Sequence, residues 1–134
     1  MDFLDTNVLI YAYDSVAPSE KISIAQQCIR DAVDGHACTS TQVLNELASV
    51  LTTKRRLPTR LVRQILDVIA PVPVIGTDAS VVRRALDACD RYGVHFYDGL
   101  VIAAAERAGA GRLLTEDLNH GQEYFGVTVY NPFQ

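Results

Sequence analysis

Apolar positions along the chain follow two periods, one suited to strands and one to helices. Phe3-Leu4 is a short apolar run that stops at Asp5-Thr6-Asn7, and Val8-Leu9-Ile10-Tyr11-Ala12-Tyr13 resumes it without a turn dipeptide. This predicts a buried strand ending near Asp5 and passing directly into a helix. After Pro18-Ser19 the spacing is helical. Ile22, Ala25, Ile29, Ala32 and Val33 share a face, Ser19 is the expected cap, and Gly35 ends the run. Ala37-Cys38-Thr39 reads as a strand. Ser40 or Thr41 then caps a helix striped by Val43, Leu44, Leu47, Val50 and Leu51. Glu46 borders that stripe, where a carboxylate is costly unless paired.

Pro58-Thr59 opens another helix, with Leu61, Val62, Ile65, Leu66 and Ile69 inward and Arg60 and Arg63 outward. Pro71-Val72-Pro73-Val74-Ile75-Gly76 reads as a strand, and Pro73, which cannot donate a ladder hydrogen bond, makes it an edge. Thr77 is the expected cap of a helix with Val81, Val82, Ala85, Leu86 and Cys89, stopped at Tyr92-Gly93. Tyr97-Asp98-Gly99 opens the most hydrophobic helix, Leu100 to Ala108. It is apolar nearly all round and so is expected at the centre. Arg112-Leu113-Leu114-Thr115 and the alternating Val127-Thr128-Val129-Tyr130 are the last strands. Strands alternating with helices imply an α/β fold with a mostly parallel sheet. With 134 residues and no repeat or linker, the chain reads as a single domain, 1–134.

In such sheets ligands bind beyond the carboxyl ends of the strands. Asp5 ends one strand and Asp117 lies just past another, so both can reach one rim. Asp98 starts a helix and Glu46 flanks one. All but Glu46 have an ordinary alternative: Asp5, Asn7 or Asp98 as a helix cap, and Asp117 as a loop acid. No Lys or Arg stands beside Asp5, Glu46 or Asp98 in the sequence. Two carboxylates about 4 Å apart repel by roughly 4 kcal/mol at an effective dielectric of about 20. If the four converge, a divalent cation is the natural compensation, and hard oxygen ligands suit Mg²⁺ or Mn²⁺.

Composition narrows the partners. The net charge of −4 excludes nucleic-acid binding by bulk charge and leaves local patches or metal ions to do it. Cys28, Cys38 and Cys89 match no zinc or disulfide spacing and read as reduced thiols. The first residues lack a signal-peptide pattern and no stretch is long enough for a membrane span, so the expectation is a soluble, cytoplasmic protein without membrane contact. His36, His95 and His120 have no ligand spacing. Lys54-Arg55-Arg56 is the densest basic stretch; it is a solvated helix end or a contact for phosphates.

Taken together, Asp5-Thr6-Asn7 after an apolar strand, Leu44-Asn45-Glu46-Leu47, Tyr97-Asp98-Gly99-Leu100 and Leu114-Thr115-Glu116-Asp117-Leu118 resemble the PIN-domain nucleases. The chain length and the tail Asp117-Leu118-Asn119-His120-Gly121-Gln122 look most like the VapC toxins of bacterial type II toxin–antitoxin pairs. The resemblance implies a three-layer α/β/α sandwich with a central, mostly parallel sheet. It implies an endoribonuclease dependent on Mg²⁺ or Mn²⁺, a homodimer, and inhibition by a cognate antitoxin. By motif, Asp5, Glu46, Asp98 and Asp117 form the catalytic and metal-binding pocket, with Thr6, Asn7 and Thr115 in support. Two other readings stand beside it. One is a catalytically silent PIN-like protein-binding module. The other is a phosphatase with Asp5 as nucleophile, which Asn7 disfavours because it stands where such enzymes carry a second Asp.

Overall fold

The computed structural model describes all 134 residues. The strands are β1 (Asp2–Leu4), β2 (Ala37–Ser40), β3 (Val74–Ile75), β4 (Arg112–Leu114), β5 (Glu123–Tyr124) and β6 (Val127–Tyr130). The helices are α1 (Thr6–Tyr11), α2 (Ser19–Asp31), α3 (Thr41–Ser49), α4 (Thr59–Ile69), α5 (Ala79–Tyr92) and α6 (Phe96–Arg107). Two helices run on into wider turns, α2 through Ala32–His36 and α3 through Val50–Lys54.

The strands form one sheet in the order β3-β2-β1-β4-β6-β5, with helices on both sides. Every neighbouring pair is parallel except β5 with β6. This is the α/β sandwich expected from the sequence. β3 lies at an edge, as expected, but spans only Val74–Ile75 and begins after Pro73 rather than at Pro71. The core runs through Phe3, Leu4, Val8, Leu47, Ile102, Leu113 and Val129, all buried. Those residues come from the central strands, from α1, from the inward stripe of α3, and from α6, whose residues Gly99 to Ala105 are all buried. α6 is therefore the central helix that its composition predicts.

Several details differ from the sequence reading. Asp78, not Thr77, caps α5, because its carboxylate accepts from the backbone N–H groups of Ser80 and Val81. Pro18 occupies the position before α2 with no side-chain cap, and Ser19 is the first helical residue. α6 begins at Phe96, ahead of Asp98, with the His95 ring accepting from the Tyr97 N–H. Val82 and Leu86 are exposed rather than inward, because α5 turns Val81 and Ala85 toward α6. The short strand β5 has no counterpart in the sequence pattern. It pairs back on β6 through Phe125-Gly126, both at positive φ (48° and 81°), the conformation of a two-residue hairpin turn.

One glycine sets the seating of α6. A Cβ on Gly99 would meet the Ala85 carbonyl oxygen at 2.7 Å. Only glycine lets α5 and α6 approach this closely, and Asp98 is the neighbouring residue.

Candidate active site at the carboxyl rim of the sheet

From β1 the chain reaches β2 on one side, whereas β4 lies on the other. The crevice between β1 and β4 is thus the point where the strand order reverses, the place where open α/β sheets bind ligands. The Asp5 N–H donates to the Leu114 carbonyl at 3.1 Å, so Asp5 and Thr115 stand side by side just beyond the two strands.

Asp5 is buried and does two things at once. Its Oδ1 accepts the Thr6 N–H at 2.7 Å and caps α1, which is the capping alternative. Its Oδ2 accepts the Thr115 hydroxyl at 2.8 Å. That hydroxyl in turn accepts from Asn7 Nδ2 and from the Asp117 N–H, both at 3.1 Å. Asn7 Nδ2 also donates to Asp117 Oδ2 at 2.9 Å. Glu46 projects from α3, half-buried, and its Oε2 accepts the Thr6 hydroxyl at 2.6 Å. The core-edge carboxylate is paired, as its position demands. Three of the acids are thus each held by a neutral donor from the segment Thr6-Asn7 or from Thr115.

Asp98 sits in the first turn of α6, half-buried, with no hydrogen bond to the other three. Its pKa nonetheless responds to two of them. Burial raises its pKa first, the charges of Asp117 and Glu46 raise it further, and His95 opposes them. Asp5 is pushed up to about 7, chiefly by burial and then by Asp117 and Glu46, against the lowering effect of its two hydrogen bonds. Asp117 and Glu46 thus raise both Asp5 and Asp98, and His95 alone among the basic groups acts on Asp98.

The donor set suits a hard cation. It offers carboxylates and no thiol or imidazole ligand, and Asn7 Oδ1 is buried without any hydrogen-bond donor. No three acidic side chains are near enough to close a shell by themselves. Thr6, Asn7, Glu46, Lys54 and Asp117 line an open cleft of about 400 Å³ beside this network.

The basic stretch divides. Lys54 reaches the cleft. Arg55 instead pairs with the buried Asp14 at 2.7 Å, so its charge is committed to the fold rather than held free for phosphate. Arg56 is exposed, with positive φ. Glu116, which the motifs do not single out, is tied to Tyr11 and Lys21. Its only signal in the sequence is its place between Thr115 and Asp117.

Residues 3–122 match the sequence model of the PIN domain. The chain belongs to the PIN domain family. Solved structures similar to this PIN domain include FitAcB from Neisseria gonorrhoeae, at 20% identity and a TM-score of 0.68 over 99% of each chain. Another is VapC20 from Mycobacterium tuberculosis, a toxin that cleaves the sarcin–ricin loop, at 19% identity and 0.68, covering 87% of this chain and 92% of that one. A third is VapBC2 from Rickettsia felis bound to a DNA fragment of its promoter, at 17% and 0.68 over 97% of each chain. At these identities the likeness is one of fold. No curated protein matches the chain in sequence. No helix of this PIN domain is long and apolar enough to cross a membrane.

Proposed function

We propose that this PIN domain is a metal-dependent endoribonuclease, the toxin of a toxin–antitoxin pair, and that it hydrolyses RNA phosphodiester bonds at the β1/β4 rim. The observation that carries this reading is the network in which Thr115 and Asn7 tie Asp5 to Asp117 where the strand order reverses, with Glu46 and Asp98 adding their charge. Asp5 and Asp98 would hold Mg²⁺ or Mn²⁺, with Glu46, Asp117 and the Asn7 carbonyl oxygen completing the site. Bound there, the cation supplies charge stabilisation at the phosphate and lowers the pKa of water.

The chain's own residues supply the rest. Thr6 fixes Glu46 so that its carboxylate borders the cleft, where it can orient a water and take its proton. The water oxygen would then bond to phosphorus as the bond to the departing ribose oxygen breaks, and that oxygen, open to solvent in the cleft, takes up a proton from bulk water. Lys54 meets a neighbouring phosphate from the same cleft. Asp5 does not suit the phosphatase alternative. That reaction needs a second acid at position 7 as proton donor to the leaving group, and Asn7 there instead donates its amide to Thr115 and Asp117.

The toxin role draws support from the similar folds, which include FitAcB, VapBC2 and a toxin–antitoxin complex from Klebsiella pneumoniae. An antitoxin suited to this chain would insert a basic side chain, an arginine above all, among Asp5, Glu46 and Asp98. Its apolar segment would lie on the open groove lined by Tyr13, Leu57, Leu61, Ile65 and Val68. Self-association would use the exposed Val82 and Leu86 of α5. The test is sequencing of RNA ends after brief expression in cells. New ends with the wild type and none with Asp98→Asn support the reading; the same ends with both reject it.

A further inference from the structure

Glu116 lies between two residues of the site, Thr115 and Asp117, yet its carboxylate is held elsewhere. The Tyr11 hydroxyl donates to Glu116 Oε1 at 2.5 Å, and Lys21 Nζ donates to Oε2 at 3.1 Å. Lys21 also donates to the Tyr11 oxygen at 3.3 Å, closing a triangle across α1, α2 and the loop after β4. The triangle is packed as well as bonded. Lys21 Nζ lies 4.7 Å from the centre of the Tyr11 ring, and Phe133 meets that ring edge-on at 5.0 Å. These are partly buried groups, with Lys21 33% and Glu116 23% exposed.

Asn7 and Tyr11 are four positions apart on α1, so they share a face one turn apart. Asn7 holds Thr115 and Asp117; Tyr11 holds Glu116 between them. Two tethers from one helix face therefore fix three consecutive residues. Lys21 neutralises Glu116 at 3.1 Å.

We infer that Tyr11, Lys21 and Glu116 form a clamp that positions the Asp117 carboxylate for the reaction proposed above. All three are positioning residues, acting through Asp117, and the inference rests on that functional reading. A purely structural role would lower stability without singling out Asp117.

The experiment compares Glu116→Ala, Glu116→Gln and Lys21→Met, alone and with Asp117→Asn, in the full chain. The first readout is Mn²⁺ binding by calorimetry. Glu116→Ala is expected to weaken it about 10-fold, the usual scale for a residue that orients a ligand. Glu116→Gln, which keeps the Tyr11 hydrogen bond, weakens it less, and Lys21→Met gives a measure that does not touch the loop. Added to Asp117→Asn, each change has less than about a twofold further effect. Full and equal losses with and without Asp117, or no loss at all, overturn the clamp. The second readout is a metal-free crystal structure of Glu116→Ala, in which Asp117 leaves Asn7. An Asp117 still bonded to Asn7 overturns the clamp even if the wild type binds no Mn²⁺ and cleaves no RNA, an outcome that rejects the nuclease reading separately.

Discussion

The Thr6 hydroxyl donates to the Glu46 carboxylate at 2.6 Å across forty positions of sequence. Thr6 is the first residue of α1 and Glu46 lies in the second turn of α3, so this one bond joins the helix capped by Asp5 to the helix that lines the cleft. Thr6→Ser keeps the hydroxyl, and cleavage stays near the wild-type rate. Thr6→Val keeps the shape and removes the donor. It is expected to lower kcat about 10-fold with little change in KM, since the residue orients a reacting group rather than binding substrate. Steady-state kinetics on both variants checks this, and equal rates for the two would show that Glu46 needs no such support.

Gly99→Ala tests the seat of Asp98. The added methyl would meet the Ala85 carbonyl oxygen, which is backbone and cannot swing aside. The expected loss of stability is roughly 1–3 kcal/mol, read from urea unfolding. Cleavage falls with it, because Asp98 moves with the helix.

Much of the fold and of the acidic rim is legible in the sequence, for identifiable reasons. The β1–Asp5–α1 passage needs only local residues: an apolar run, an Asp that caps, and a second apolar run. The α3 stripe likewise places Glu46 at a core edge, and the apolar α6 can only be central. What escapes depends on partners distant in sequence. Val82 and Leu86 fit the α5 pattern as well as Val81 and Ala85 do, and only the close approach at Gly99 decides which pair turns inward. Arg55 looks free until Asp14 of another segment meets it. Glu116 and Asp117 are chemically alike, and Tyr11 and Lys21 alone separate their surroundings. The neutral donors between the acids can be named from the motif but not placed by it.

Arg55 and Lys54 are expected to part company on substitution. Arg55→Ala leaves the Asp14 carboxylate buried without its cation, and costs roughly 1–3 kcal/mol of stability. Lys54→Ala touches no ion pair. It leaves the melting temperature unchanged and raises KM for RNA, with a weaker dependence on salt than the wild type shows. Thermal melts and salt-series kinetics on the two variants separate the roles.

Asp5 makes metal-free stability depend on pH. Its folded pKa, about 7, lies above the ordinary 3.8, so the folded state binds the proton more tightly than the unfolded one. The stability this group contributes is full below about pH 4 and is lost as pH rises through 7, by no more than about 1.4 kcal/mol for each step of one in pH. The wild type without divalent ions should therefore melt lower at about pH 8 than at about pH 5.5. Asp5→Asn should flatten that slope and melt at least as high as the wild type at the upper end. Melting curves across this range, with and without Mn²⁺, provide the check. A wild type that gains stability over the same rise in pH without metal would contradict the burial argument.

The central claim is that the acids of the β1/β4 rim cleave RNA with the help of a divalent cation. The direct measurement is cleavage of end-labelled single-stranded RNA by purified wild type, Asp5→Asn and Asp98→Asn, each with Mn²⁺ and with EDTA. Cleavage is expected from the wild type with Mn²⁺ only, with rates lower by about 100-fold or more for both variants while their melting temperatures are kept. Cleavage that persists in EDTA, or at the wild-type rate in both variants, would contradict it.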